Sequence, residues 1–274
     1  MEAIAPDALE FIRLAERAGA AACADFYRAA PPALAVRVAS IKGLTVMLAP
    51  HVPVGFFNRA IGFDGAARIT EADLDDVIDR FRSAGIAEFW LQLTPEAAAR
   101  SMPGWLEARG FSLAPRARWA KFVRDTRNPP SARTELEIRP AGAGDAAEIA
   151  SIITGAYGLP PELSPWILSL IGRPGWLFQV ACTDGRAVAT GALHVGGECG
   201  WLGFAATAAE YRGRGAQSAL LAARIRAAAQ QGCRTVTTET GEPKGDEPNP
   251  SLANIRRAGF VQVCSRLNYR REAG

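Results

Sequence analysis

The sequence predicts an α/β (α+β) chain made of two similar halves, and three observations lead there. The first is the stretch Tyr211-Arg212-Gly213-Arg214-Gly215-Ala216-Gln217, set between a strand-like apolar run (Trp201 to Thr207) and an Ala/Leu-rich helical run (Ala216 to Gln230). A strand, a glycine-rich turn and a helix start together expose unpaired backbone N–H groups at the positive end of the helix dipole, which suits a phosphate. The second is an internal repeat. Ile69 to Gly85 carries Leu74, Val77, Ile78 and Phe81 at helical spacing behind an N-cap Thr70, and it mirrors Ala216 to Gly232. Each helix ends at a glycine, is followed by a strand-like run (Ala87 to Leu93; Arg234 to Glu239) and then by a short helical segment closing on Gly-Phe (Gly110-Phe111; Gly259-Phe260). The glycine-to-glycine separations are 25 and 27 residues and the copies are offset by 147 to 149, four ordered coincidences rather than one. The third is the Pro/Arg/Ser-rich stretch Thr126 to Arg133, read as a linker between residues 1–125 and 134–274. An unrelated α/β first half with a chance pattern is the alternative.

Each element of the second half has its local reason. Leu136 to Pro140 reads as a strand, and Asp145 with Glu148 three residues on reads as a capping box opening a helix. Trp176 to Cys182 and Ala187 to Val195 read as strands joined by the tight turn Thr183-Asp184-Gly185-Arg186. Cys199 to Thr207 supplies the strand before the glycine turn, and Leu221, Ile225 and Ala228 recur at helical spacing after it. Arg234 to Glu239 is a β-branched strand, Ser251 to Ala258 a short helix stopped at Gly259, and Val261 to Arg270 a closing strand.

The glycine turn is neither of the commoner phosphate loops. It lacks the G-x-x-x-x-G-K-[ST] of a P-loop and the G-x-G-x-x-G of a dinucleotide fold. It resembles instead R/Q-x-x-G-x-G/A, the coenzyme A pyrophosphate motif of the GNAT superfamily of acyl-CoA N-acyltransferases, with Arg212 in the first place, Gly215 in the fourth and Gln217 where the family usually has Gly or Ala. The element order from 136 to 270 and the Gly259-Phe260 pair are similar to the same family. The resemblance implies two GNAT-like domains, each a mixed, mostly antiparallel central sheet flanked by helices, and acetyl-CoA as cosubstrate of the second. It implies cofactor contacts from Ala205, Ala206 and Thr207, on the strand that splays from its neighbour, and from Arg212, Gly213, Arg214, Gly215, Ala216 and Gln217. In the first half the corresponding stretch is Gly65-Ala66-Ala67-Arg68-Ile69-Thr70, without the R-x-x-G spacing, so that copy is expected to have lost the coenzyme.

Composition narrows the remaining possibilities. With 31 basic and 28 acidic residues the net charge is only +3, and no dense basic run or aromatic-interleaved basic stretch points to nucleic acid. Met1 to Asp7 has neither a basic nor an apolar leader character, and no apolar span of 18 residues occurs, so a soluble, cytoplasmic protein, monomer or homodimer, is expected. Cys23, Cys182, Cys199, Cys233 and Cys264 show no C-x-x-C spacing; they read as reduced core residues with no metal site.

The implied chemistry is aminolysis of a thioester, which requires a neutral amine and a proton for the leaving thiolate. Glu239, ending the strand after the helix, is the candidate base, directly or through a water; a solvated strand-end Glu is the plainer alternative. His194 shares a sheet face with Val188, Thr190 and Ala192, where a structural histidine is the plainer reading, and Glu198 and Glu210 read as loop charges. The family's thiolate-protonating tyrosine lies four residues before the glycine of Gly-Phe, and here that place holds Ile255. Water, Ser251 or Tyr269 would have to substitute, or the protein binds acyl-CoA without fast turnover. Asn254 and Asn249 stand near the same helix as pantetheine contacts or helix caps. Tyr157 and Trp166, with Pro160, Pro161 and Pro165, fall where the family builds its acceptor pocket, with core packing the alternative for Trp166.

Overall fold

The computed structural model describes residues 6–64, 68–99, 101–245 and 247–271. The chain forms two compact units, one comprising Met1–Lys121, Thr240–Glu247 and Gln262–Gly274, the other Phe122–Glu239 and Pro248–Val261. The units therefore do not part at the expected linker: residues 122–133 all belong to the second.

The first unit opens with helix α1 (Pro6–Arg28), strands β1 (Arg37–Ile41), β2 (Leu44–Leu48) and β3 (Arg59–Phe63), and helix α2 (Glu71–Ser83). Strand β4 (Phe89–Leu93), short helices α3 (Pro95–Ala98) and α4 (Met102–Glu107), and β5 (Phe111–Asp125) follow. Helix α2 starts where the sequence places it: Thr70 Oγ1 accepts from the Asp73 N–H at 3.3 Å while the Asp73 carboxylate accepts from the Thr70 N–H at 3.0 Å. Its apolar stripe Leu74, Val77, Ile78 and Phe81 is fully buried, with Phe81 stacked on Phe89 at 4.2 Å between ring centres. Gly65, Ala66 and Ala67, part of the stretch compared with the glycine turn, lie outside the described residues.

The second unit contains β6 (Glu137–Pro140), helices α5 (Ala146–Tyr157) and α6 (Ser164–Leu168), and strands β7 (Trp176–Thr183), β8 (Arg186–Gly196) and β9 (Cys199–Thr207). Helix α7 (Ala216–Gln230), strand β10 (Thr235–Gly241), helix α8 (Pro250–Arg257) and strand β11 (Val261–Arg271) complete the chain. The turn between β7 and β8 has positive φ at both Asp184 (48°) and Gly185 (74°), the hairpin geometry its residues favour. The capping box expected at Asp145 and Glu148 does not form. Arg139 grips the Asp145 carboxylate with both terminal nitrogens at 2.7 Å, and the Gly142 N–H donates to it as well, because a two-pronged guanidinium outcompetes a helix N–H for the same oxygens.

Within the first unit the strand order is β1-β2-β3-β4-β11-β5, and within the second it is β10-β9-β8-β7-β6, with the Phe122–Asp125 end of β5 beside β10. The pairs β1–β2, β2–β3, β4–β11, β6–β7, β7–β8 and β8–β9 are antiparallel, whereas β3–β4, joined across α2, and β9–β10, joined across α7, are parallel. The closing strand expected for the second half is present, but from Gln262 onward it belongs to the first unit, paired antiparallel with β4 so that Tyr269 stands opposite Leu91. All five cysteines are buried thiols outside any disulfide. Among the described residues no helix is long and apolar enough to cross a membrane.

Candidate functional site

The site begins with an irregularity in β9. Its register against β8 runs Thr190↔Ala206 and then Ala192↔Gly203, so Phe204 and Ala205 together stand opposite the single residue Gly191. Phe204 has φ +49°, and such a two-against-one bulge bends its strand and leaves groups out of the ladder. On the other edge, β9 and β10 pair from Cys199↔Thr235 only as far as Leu202↔Thr238, where Thr238 Oγ1 donates to the Leu202 carbonyl at 2.9 Å. The β9–β10 pairs end there, leaving Gly203 to Thr207 beyond the last of them.

The glycine turn follows the end of β9. Gly213 (φ +79°) and Gly215 (φ +78°) are both left-handed around Arg214, and Gly215 is the N-cap of α7, whose first N–H groups have no intrahelical acceptor. Alternating left-handed residues ahead of a helix turn successive N–H groups toward one side, an anion cradle. The loop is also fastened from behind: Thr134 Oγ1 donates to the Arg214 carbonyl at 2.8 Å, and a Cβ on Gly215 would overlap the Arg133 carbonyl oxygen. Gly215 is thus required by linker packing as well as by the turn. Arg212 and Arg214 are exposed, Arg212 within 3.5 Å of the Thr207 carbonyl and Arg214 over the Tyr211 ring.

Two groups of expected contacts meet here. The Gln217 carboxamide donates to the Ala206 carbonyl and to Thr207 Oγ1, both at 2.9 Å, tying the first turn of α7 to the end of β9. Ala216 is buried beneath the turn. Glu239 is half-buried, one residue past the last β9–β10 pair. Asn254 lies on α8 with its carboxamide oxygen accepting from Arg257, and Asn249 caps that helix by accepting from the Leu252 N–H at 2.9 Å. Tyr157 is exposed and donates to the Ala205 carbonyl at 3.2 Å, whereas Trp166 is core.

Several alternatives for the acid and base lie elsewhere. His194 is buried opposite Trp176 and Trp201 in the β-ladder, its ring 4.9 Å from Trp176, within an aromatic cluster that includes Phe204. Ile255 is buried at 4 % exposure. Tyr269 packs in the hydrophobic core of the first unit, where burial pushes its hydroxyl pKa up. Glu210 is exposed, and Glu198 is an exposed partner of Arg234.

The first unit treats the corresponding strands differently. There β3 and β4, after a register shift between Ala60 and Phe63, pair again at Phe63↔Leu93, and Thr94 donates to the Phe63 carbonyl from both its N–H (3.0 Å) and its hydroxyl (2.9 Å). The place where β9 and β10 part is stitched shut. A cleft of about 280 Å³ does occur in the second unit, but it borders Ala227, Gln230 and Gln231, the far end of α7, roughly 20 Å along the helix from the cradle.

Sequence reasoning missed Phe204, whose left-handed backbone forms the bulge, and Arg224, fully buried on α7. A signal existed for the second: Arg224 interrupts an otherwise apolar helical stripe, a place where a charge needs a reason.

The comparisons agree with this geometry. Residues 148–247 match the model of the acetyltransferase (GNAT) family. A GCN5-related N-acetyltransferase from Kribbella flavida is similar in structure, with a TM-score of 0.66 and 17 % identity over 95 % of this chain and 96 % of that one. A tandem GNAT protein from the clavulanic acid biosynthesis pathway matches with a TM-score of 0.62 and 15 % identity over 98 % and 95 % of the two chains. A GCN5-related N-acetyltransferase from Sphaerobacter thermophilus gives 0.60 and 18 % over 85 % and 81 %. No curated protein matches the sequence. Residues 148–247 are thus a domain of the acetyltransferase (GNAT) family, and the chain shares the fold of these structures.

Proposed function

We propose that the second unit is an N-acetyltransferase that takes an acetyl group from acetyl-CoA and passes it to a primary amine of a small molecule or protein. The observation that carries this reading is the coincidence of two features at one end of β9: the parting of β9 from β10 after Leu202↔Thr238, and the paired left-handed glycines opening α7. The cradle suits a pyrophosphate, which Gly213 to Gln217 would hold by backbone N–H groups and the helix dipole. Backbone of Ala205, Ala206 and Thr207, past the last β9–β10 pair, would line the pantetheine arm, with Asn254 as a further contact. Acetyl-CoA supplies an activated acyl group; the chain must orient it and manage two protons. Glu239, just past the last strand pair, takes the proton from the acceptor ammonium, directly or through one water. Ile255 offers no proton, so water supplies the one required by the leaving sulfur.

The first unit, with its strands stitched at Thr94, serves in this reading as a copy without coenzyme, and residues 126–133 as the connection between the copies. A second reading, a non-catalytic acyl-CoA-binding module, is favoured by one observation, the buried apolar Ile255 in the acid's place. A thiol-release assay with acetyl-CoA over an amine panel, beside a calorimetric titration of coenzyme A, separates the two. Release above background with any amine supports the enzyme; saturable binding with no release supports the module, and no binding defeats both.

A further inference from the structure

The carbonyl groups around the β9 bulge are held by two side chains of α7 set seven residues, or two turns, apart. Gln217 Nε2 reaches both the Ala206 carbonyl (2.9 Å) and the Thr190 carbonyl (3.4 Å). Arg224 Nη1 reaches both the Ala192 carbonyl and the Gly203 carbonyl, each at 3.3 Å, while its Nε donates to Leu220 at 3.2 Å. These four carbonyls belong to Thr190↔Ala206 and Ala192↔Gly203, the two strand pairs that bracket the bulge. Between them lies Gly191, over whose Cα the guanidinium is laid: a Cβ there would sit 2.6 Å from Arg224 Cζ.

We propose that Gln217 and Arg224 form a clamp that fixes the bulge of β9 and thereby sets the pantetheine slot, making both positioning residues for the coenzyme. This rests on the reading of the second unit as an acyl-CoA site. A bulge deprives carbonyls of ladder donors, and buried acceptors left unpaired are costly, so something must supply N–H groups from outside the sheet. The helix that follows β9 does so with its own side chains, one at each edge of the bulge. Arg224 is 1 % exposed, has no carboxylate partner among the described residues, and leaves Nη2 without an acceptor there. Burial draws its pKa down to about 10, so it remains a cation at neutral pH. A buried unpaired cation is an expensive way to fill core; Leu would fill it more cheaply, but only a fork of donors spans two strands at once. The same account explains Gln217, where the resembled motif has Gly or Ala: neither has a donor that reaches the Ala206 carbonyl.

If the clamp acts on the pantetheine slot and not on the phosphate cradle, its loss should divide the coenzyme into two parts. Gln217→Ala and Arg224→Met are titrated calorimetrically with coenzyme A and with 3′-phospho-ADP, which keeps the pyrophosphate and lacks the pantetheine arm, with thermal melts recorded for each variant. Each variant should lose at least tenfold in affinity for coenzyme A while its affinity for 3′-phospho-ADP stays within about twofold. Unchanged coenzyme A affinity, or a parallel fall for both ligands, overturns the clamp while leaving the acyl-CoA reading in place. Failure of the unaltered protein to bind either ligand overturns that reading, and the clamp's role with it. Should Arg224→Met fail to fold, Gln217→Ala, at a partly buried position on the first turn, decides the question alone.

Discussion

Gly213 and Gly215 are two residues apart, share nearly the same backbone conformation (φ +79° and +78°), and differ in what surrounds them. A methyl group added at Gly213 meets nothing within 4 Å, so Gly213→Ala costs only the left-handed backbone, about 1 kcal/mol. At Gly215 the same methyl group overlaps the Arg133 carbonyl oxygen and comes within 3.5 Å of the Thr134 side chain. Because the obstacle is backbone, it cannot swing aside. Relief requires the loop or residues 133–134 to shift, adding about 1–3 kcal/mol of strain and endangering the Thr134–Arg214 hydrogen bond, worth about 1 kcal/mol. Gly215→Ala should thus cost about 3–5 kcal/mol in all. At roughly 2–4 °C per kcal/mol for a chain of this size, the melting temperature should fall by about 10 °C for Gly215→Ala and about 3 °C for Gly213→Ala. Coenzyme A affinity should follow, falling more than tenfold in the first variant and by no more than a few-fold in the second. Calorimetric melts and titrations of the two proteins side by side make the comparison. Equal melting shifts would refute the packing of the linker against the turn as the reason for Gly215.

Three further outcomes are expected. Glu239→Gln keeps size and most hydrogen bonding, so turnover should drop roughly 10²-fold with little change in coenzyme affinity; equal turnover at pH 7 would leave Glu239 a structural residue. Glu16, 2 % exposed, faces Lys121 at 3.0 Å and Arg266 at 3.5 Å in the first unit, and Glu16→Ala would remove the buried carboxylate that these two cations share; denaturant unfolding should show a loss of about 3–5 kcal/mol, and a loss under about 1 kcal/mol would contradict that arrangement. The hydrogen bonds from Arg139, helped by the Gly142 N–H, hold the Asp145 carboxyl below its ordinary pKa of 3.8. Its stabilising contribution is complete above that ordinary value and drains away as pH falls through the lower folded one, so the stability gap between the protein and Asp145→Asn should be widest near pH 7 and shrink in strong acid. A gap that stays constant with pH would show the carboxylate's charge to be irrelevant.

Local periodicity and turn chemistry made most of the elements of the second half legible. Cys199–Thr207 was readable as a strand, the glycine turn as the entry to a helix, and Thr70 as the cap of Glu71–Ser83, because each depends on residues within a few positions of one another. The helix stripe Leu74, Val77, Ile78 and Phe81 was readable for the same reason. Asp145 was misread because its partner, Arg139, lies upstream in a strand, and capping rules look only forward along the helix.

What the sequence determined by itself, then, is most of the elements of the second half, the glycine turn that opens α7 and the capped helix Glu71–Ser83. Only tertiary structure decided that β11 pairs with β4 beyond Val261, that β9 parts from β10 after Leu202 while Thr94 keeps β3 and β4 together, and that Gln217 and Arg224 bracket the bulge. The physical reason is common to all three. Strand order, the end of a ladder and the donors that serve a bulge are settled by backbone groups far apart in sequence, and every residue carries the same N–H and C=O, so the residue names do not record which of them meet.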